Sequence, residues 1–81
     1  MRKITGAAAY LAALGQAVRR NREGLGLSQE QFAFEAELDR TYISGIERGG
    51  RNATIATVLR LAKTLGVTPS ALLRDAEKIA K

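Results

Sequence analysis

Three observations predict an all-α chain of five helices. Apolar residues recur at steps of three and four along nearly the whole length, as on one face of a helix. No stretch alternates β-branched and polar residues as a half-buried strand does. Turn signals at Gly24-Leu25-Gly26, Glu37–Asp39, Gly49-Gly50-Arg51-Asn52 and Gly66-Val67-Thr68-Pro69 cut the chain into pieces of helical length.

Each helix has its own signature. Residues 1–6 read as a flexible tail, ahead of one domain over 7–81. The first helix spans about Ala7 to Leu25 on the stripe Leu11, Leu14, Val18, Arg22, Leu25. The second starts at Ser28, whose hydroxyl can cap the free amides while Gln31 reaches back, and it buries Phe32, Ala33 and Ala36. The third starts at Asp39, an N-cap residue whose charge suits the positive helix end. It turns Ile43, Ile46 and Glu47 inward and Arg40, Thr41, Ser44 and Arg48 outward. The fourth is capped by Thr54 and carries Ile55, Val58, Leu59, Ala62 and Leu65, with Leu61 widening the stripe. The fifth takes Thr68 as cap and Pro69 at its first position, then buries Leu72, Leu73, Ala76 and Ile79.

With 81 residues, 46% of them hydrophobic, there is material for a single modest core. A chain of this size hides only roughly 60% of its extended surface on folding, so a symmetric partner would help it. The chain has no cysteine and no histidine, which removes thiolate chemistry, the usual general base and the usual zinc ligands. No enzyme, cofactor or metal site is expected. A net charge of +5 favours a polyanionic partner, and an aromatic content of 5% without tryptophan favours a duplex over a stacked single strand. Arg2 and Lys3 ahead of the apolar Ile4–Gly15 imitate a short secretory leader. However, the stripe runs on unbroken into a charged amphipathic segment, so the stretch reads as helix. No run reaches the ~18 apolar residues that a membrane span needs.

Two short helices joined by Glu37-Leu38-Asp39, with small Ala33 at their crossing, describe a helix-turn-helix over about residues 28–48. Leu38 plugs the turn, and Ile43 and Ile46 anchor the second helix so that its other face is free for a groove. Such a pair also occurs in proteins that bind no DNA; the outward chemistry is what points to nucleic acid. Arg40 and Thr41 stand at the leading end of the exposed face and Ser44 one turn later, where base edges are read. Arginine suits a bidentate grip on guanine, and threonine offers a methyl and a hydroxyl. Gln29 and the stretch Arg48–Thr54, with Arg51 and Asn52, are placed to hold phosphates on either side.

The stretch Leu25-Gly-Leu-Ser-Gln-Glu-Gln-Phe-Ala33 and then Leu38-Asp-Arg-Thr-Tyr-Ile-Ser-Gly-Ile-Glu-Arg-Gly49 resembles the Cro and phage-repressor type (XRE family) of helix-turn-helix regulators, over roughly Leu11 to Leu73. More narrowly, Leu38 to Arg48 followed by Arg51-Asn-Ala-Thr-Ile55 is similar to the controller proteins of restriction–modification systems. The resemblance implies a dimeric five-helix, lambda-repressor-like regulator on palindromic operator DNA. It implies base reading by Arg40, Thr41 and Ser44, and contacts to the backbone or groove shape by Gln29, Tyr42, Arg48, Arg51, Asn52 and Thr54. It also matches Arg22 and Glu47 to a structural ion pair. Their inward positions support this independently, because an unpaired buried charge is costly.

Three positions depart from the pattern or stand apart from it. Glu37 occupies a turn position where many members have glycine, so a left-handed backbone there would be strained. Gly45 interrupts the recognition helix where related repressors place a base reader, and close approach to DNA is expected instead. Phe34 lies off the buried face, and partial packing by neighbouring helices is expected of it. Two-fold symmetry would set half-sites about 34–36 Å apart. The surplus apolar residues Leu61, Leu65, Val67, Leu72 and Ile79 are the candidate dimer interface. The expected partners are therefore an operator duplex, a second copy and RNA polymerase, recruited or blocked, in the cytoplasm of a bacterium or in a phage system. Neither a membrane nor a small-molecule effector is expected. A phage-type repressor, an antitoxin, and a protein-interaction module that binds no DNA remain open alternatives.

Overall fold

The computed structural model describes residues 6–80, and these form α1 (Ala7–Gly24), α2 (Gln29–Ala36), α3 (Arg40–Glu47), α4 (Ile55–Leu65) and α5 (Pro69–Ala80), with no strand among them. The tail assigned to residues 1–6 lies, apart from Gly6, outside the described residues.

The caps explain most of the boundaries. Ser28 Oγ accepts from the Gln31 amide at 3.0 Å while Gln31 Oε1 accepts from the Ser28 amide at 2.8 Å, closing the expected capping box. Thr54 Oγ1 accepts from the Thr57 amide at 3.2 Å, and Thr68 Oγ1 accepts from the Ala71 amide at 3.1 Å. Asp39 has the extended backbone of an N-cap, but its side chain makes no cap hydrogen bond. α3 is instead held at its start by packing of Leu38 against the core.

Phe32, Ile43, Ile46, Leu61, Leu72 and Val18 are the largest fully buried side chains, contributed by all five helices, so the core is one body. The long α1 lies against both α3 and α5. Its crossing with α3 depends on Gly15: a Cβ there would land on the Ile46 carbonyl oxygen and within 2.7 Å of that of Glu47. The backbones therefore touch, which fixes the C-terminal end of α3 against α1.

The three-residue link between α2 and α3 is sharp. Glu37 adopts φ 58°, ψ 42°, and the Leu38 amide donates back to the Ala33 carbonyl at 2.9 Å. Among the described residues Glu37 is the only non-glycine with positive φ. Left-handed backbone costs an L-residue roughly 1–2 kcal/mol, and glycine would return part of that as extra freedom in the unfolded chain. Glu37→Gly is expected to raise stability by about 0.5–1 kcal/mol, read as a rise of a few degrees in Tm. A lower Tm would mean that the carboxylate contributes more than the strain costs.

Candidate nucleic-acid interface

The inner side of the helix-turn-helix is built around one buried charge pair. Arg22 Nε donates to Glu47 Oε2 at 2.7 Å and Arg22 Nη2 to Glu47 Oε1 at 3.0 Å, a side-on fork with both side chains nearly excluded from solvent. Arg22 Nη1 donates to the Leu27 carbonyl at 2.7 Å, and Gln29 Nε2 donates to Glu47 Oε1 at 2.9 Å. The hydrogen bond to Glu47 raises the guanidinium above its ordinary value against the opposing effect of burial. Arg22 therefore ties α1 to the end of α3 and to the loop entering α2. The Gln29 side chain, predicted to reach toward phosphate, is spent on this carboxylate. What the start of α2 offers outward is the amides of Gln29 and Glu30, which have no carbonyl one turn back within the helix, that of Gln31 being taken by the Ser28 cap.

On the outer side, Arg40 and Thr41 are exposed at the N-terminal end of α3. Ser44 is half-buried one turn on, and its Oγ accepts from Arg48 Nη1 at 2.6 Å. Ion pairs among the described residues join Arg19 to Glu23 and Arg22 to Glu47, so the charge of Arg40 is not drawn into either. Tyr42 is half-buried, with its hydroxyl 3.4 Å from Thr57 Oγ1. The Arg51 guanidinium lies over the Tyr42 ring, 5.4 Å from its centroid. Asn52 is exposed in the loop, while the Thr54 hydroxyl serves the cap of α4 and donates to Thr57 Oγ1 at 3.1 Å. Arg40, Thr41, Ser44, Arg48 and Arg51 thus come from α3 and the loop that follows it, whereas Arg22, Glu47 and the Gln29 side chain face inward.

Two expectations are corrected by the packing, and Gly45 has a neighbour that its position in the sequence does not show. Gly45 is not bare: the stem of Arg51 covers it, and a Cβ on Gly45 would sit 2.7 Å from Arg51 Cγ. Phe34 is 85% exposed, because no other helix among the described residues reaches the outer side of α2. The proposed dimer residues Leu61 and Leu72 are fully buried and Leu65 is 5% exposed, so these three complete the monomer core and cannot also meet a second copy. Val67 and Ile79 are half-buried against that core. The apolar surface that α4 leaves outside is Ile55, 71% exposed, and Leu59, 50% exposed, one turn apart on the same face. The width of the stripe signalled surplus apolar surface; only the placement of neighbouring helices shows which residues it is.

The match to the Helix-turn-helix family covers residues 18–72. The Control protein C.BamHI of Bacillus amyloliquefaciens is 50% identical over 60 residues, 73% of this chain and 74% of that protein. The Control protein C.MunI of a Mycoplasma species is 46% identical over 57 residues, 70% and 77% of the two chains. Among solved structures, the restriction–modification controller protein C.AhdI from Aeromonas hydrophila superposes with a TM-score of 0.75 at 45% identity, covering 76% of this chain and 94% of its own. The controller protein C.Esp1396I, solved as a tetramer in complex with its natural 35-base-pair operator, superposes at 0.80 and 35% identity over 88% and 93% of the two chains. Similarity of this extent, running through the helix-turn-helix and the helices that frame it, shows that the chain belongs to the helix-turn-helix regulators of the restriction–modification controller protein family.

Proposed function

We propose that the chain is a homodimeric, sequence-specific regulator that occupies a palindromic operator in duplex DNA and thereby blocks or recruits RNA polymerase at restriction–modification genes, its own included. The observation that supports this best is the polarity of α3. Its inner side is locked to α1 by a buried ion pair, and its outer side presents Arg40 and Thr41, uncovered, at the end where recognition helices meet base edges. In this reading Arg40, Thr41 and Ser44 read bases. Arg48, Arg51 and the first amides of α2 hold phosphate, with Asn52 beside them in the loop. The relative bound to its 35-base-pair operator supports DNA as the ligand. Such a regulator would work in the cytoplasm, beside the nucleoid.

The test is a titration against duplexes selected from a random pool. Affinity should fall steeply with salt, with a log–log slope of about −0.9 for each phosphate neutralised. A slope near zero would exclude DNA as the ligand and favour a module that docks on protein.

The same reading places the second copy on the outward face of α4, at Ile55 and Leu59. A two-fold axis makes every interface residue count twice, and burying a leucine side chain contributes about 1.5–3 kcal/mol. Leu59→Glu should therefore weaken the dimer by about a hundredfold or more while leaving the monomer folded, as read by sedimentation equilibrium alongside circular dichroism. An unchanged dimer constant would move the interface elsewhere.

A further inference from the structure

We infer that Gly45 and Tyr42 together form a saddle whose purpose is to place the Arg51 guanidinium beside the recognition helix, making both positioning residues for DNA binding; this rests on the DNA-binding reading above.

The geometry comes from two elements meeting. On α3, Tyr42 and Gly45 lie three residues apart, hence on neighbouring parts of one face. Beyond α3 the chain doubles back: the Gly50 amide donates to the Gly45 carbonyl at 2.9 Å, which brings residue 51 alongside the helix it has just left. The Arg51 stem then crosses Gly45 so closely that a Cβ there would lie 2.7 Å from Cγ, 3.4 Å from Nε and 3.6 Å from Cδ. The guanidinium arrives over the Tyr42 ring, 5.4 Å from the centroid. Without a side chain at 45 the aliphatic stem has a groove to lie in, and the ring faces the cation beyond it. A long arginine in an exposed loop otherwise samples many rotamers, and fixing them on binding carries an entropic cost. The saddle meets that cost in the free protein.

This account predicts an unusual opposition between stability and function. Glycine inside a helix is poorer than alanine, so nothing local favours Gly45 except the space that it leaves. Gly45→Ala must push Arg51 off, because Cγ is placed by χ1 and clears the new methyl only by leaving the rotamer that lays the stem along the helix. In Arg51→Ala the obstruction is gone, and alanine at 45 becomes harmless.

The experiment is a double-mutant cycle on Gly45→Ala and Arg51→Ala, with affinity measured on the duplex that the wild-type chain enriches from a random pool. Each single variant is expected to lose affinity by a similar factor, of tenfold or more. The double variant should be no weaker than Arg51→Ala alone, and its Tm should exceed that of Arg51→Ala. Tyr42→Leu, which removes the ring, should lose affinity in the wild-type background and nothing further in the Arg51→Ala background. A second measurement needs no DNA: the Arg51 side-chain resonances should show an aromatic ring-current shift that Gly45→Ala abolishes. If Gly45→Ala costs as much in the Arg51→Ala background as in wild type, the glycine serves direct approach of DNA and the saddle is wrong. A wild-type chain showing the ring-current shift but no salt-dependent affinity for any duplex would overturn the DNA-binding reading, with the saddle intact as a structure but without its assigned purpose.

Discussion

Arg22→Ala is expected to destabilise the fold by about 3–5 kcal/mol, the largest effect on stability of any single substitution considered. Arg22 Nε and Nη2 fork onto the Glu47 carboxylate and Nη1 satisfies the Leu27 carbonyl, all in an environment with little access to water. Removing the guanidinium leaves a buried carboxyl group with Gln29 Nε2 as its side-chain partner among the described residues, together with a carbonyl that has lost its donor. A domain of this length has a total stability of roughly 4–12 kcal/mol at typical values per residue, so much of it would go. The check is urea denaturation, with a lowered midpoint at an unchanged slope. A loss below about 1 kcal/mol would mean that α3 releases Glu47 to solvent, and hence that the α1–α3 crossing is softer than Gly15 makes it look. The pH dependence has a definite sign on the arginine side. A raised guanidinium contributes stability that is complete below its unfolded value and is lost only as pH rises through the folded one, so no change from Arg22 is expected around neutrality.

How much of this was legible in the sequence depends on the range of the interactions involved. Features written within three or four residues were readable: the Ser28–Gln31 box, the Thr54 and Thr68 caps, and Pro69 opening α5. Asp39 shows the limit of that reading, since it is the right residue in the right place and its carboxylate takes no cap bond. Pairing of Arg22 with Glu47 was readable although 25 residues separate them, because two inward charges must find each other. That Gln29 joins them was not, since an amide at a helix start suits several roles. The division of α4 was equally hidden. A helical wheel gives the angle of Ile55, Leu59 and Leu61 about the axis, but which of them is covered depends on where α1, α2 and α5 stand. Gly45 and Arg51 are six residues apart and would be read as independent, until the loop folds back and makes one the floor for the other.

Arg40→Ala is expected to separate recognition from folding more cleanly than any other change. Arg40 is the first residue of α3, exposed, and it enters neither ion pair among the described residues. A cation at a helix N-terminus opposes the helix dipole by about 0.3–1 kcal/mol, so the variant should be slightly more stable than wild type in urea. On the selected operator it should lose about 1–3 kcal/mol for each half-site if the guanidinium grips a guanine edge. In a dimer on a palindrome both copies lose their contact, which amounts to about 2–6 kcal/mol, or roughly thirtyfold to twenty-thousandfold in affinity. Competition with single-base variants should show base preference flattened at one position in each half-site and kept elsewhere. Equal weakening on every sequence, accompanied by a shallower salt slope, would instead make Arg40 a phosphate contact and shift the reading of bases to Thr41 and Ser44. The gain in stability and the loss in affinity have one origin: α3 carries an arginine where the helix itself would favour an acid.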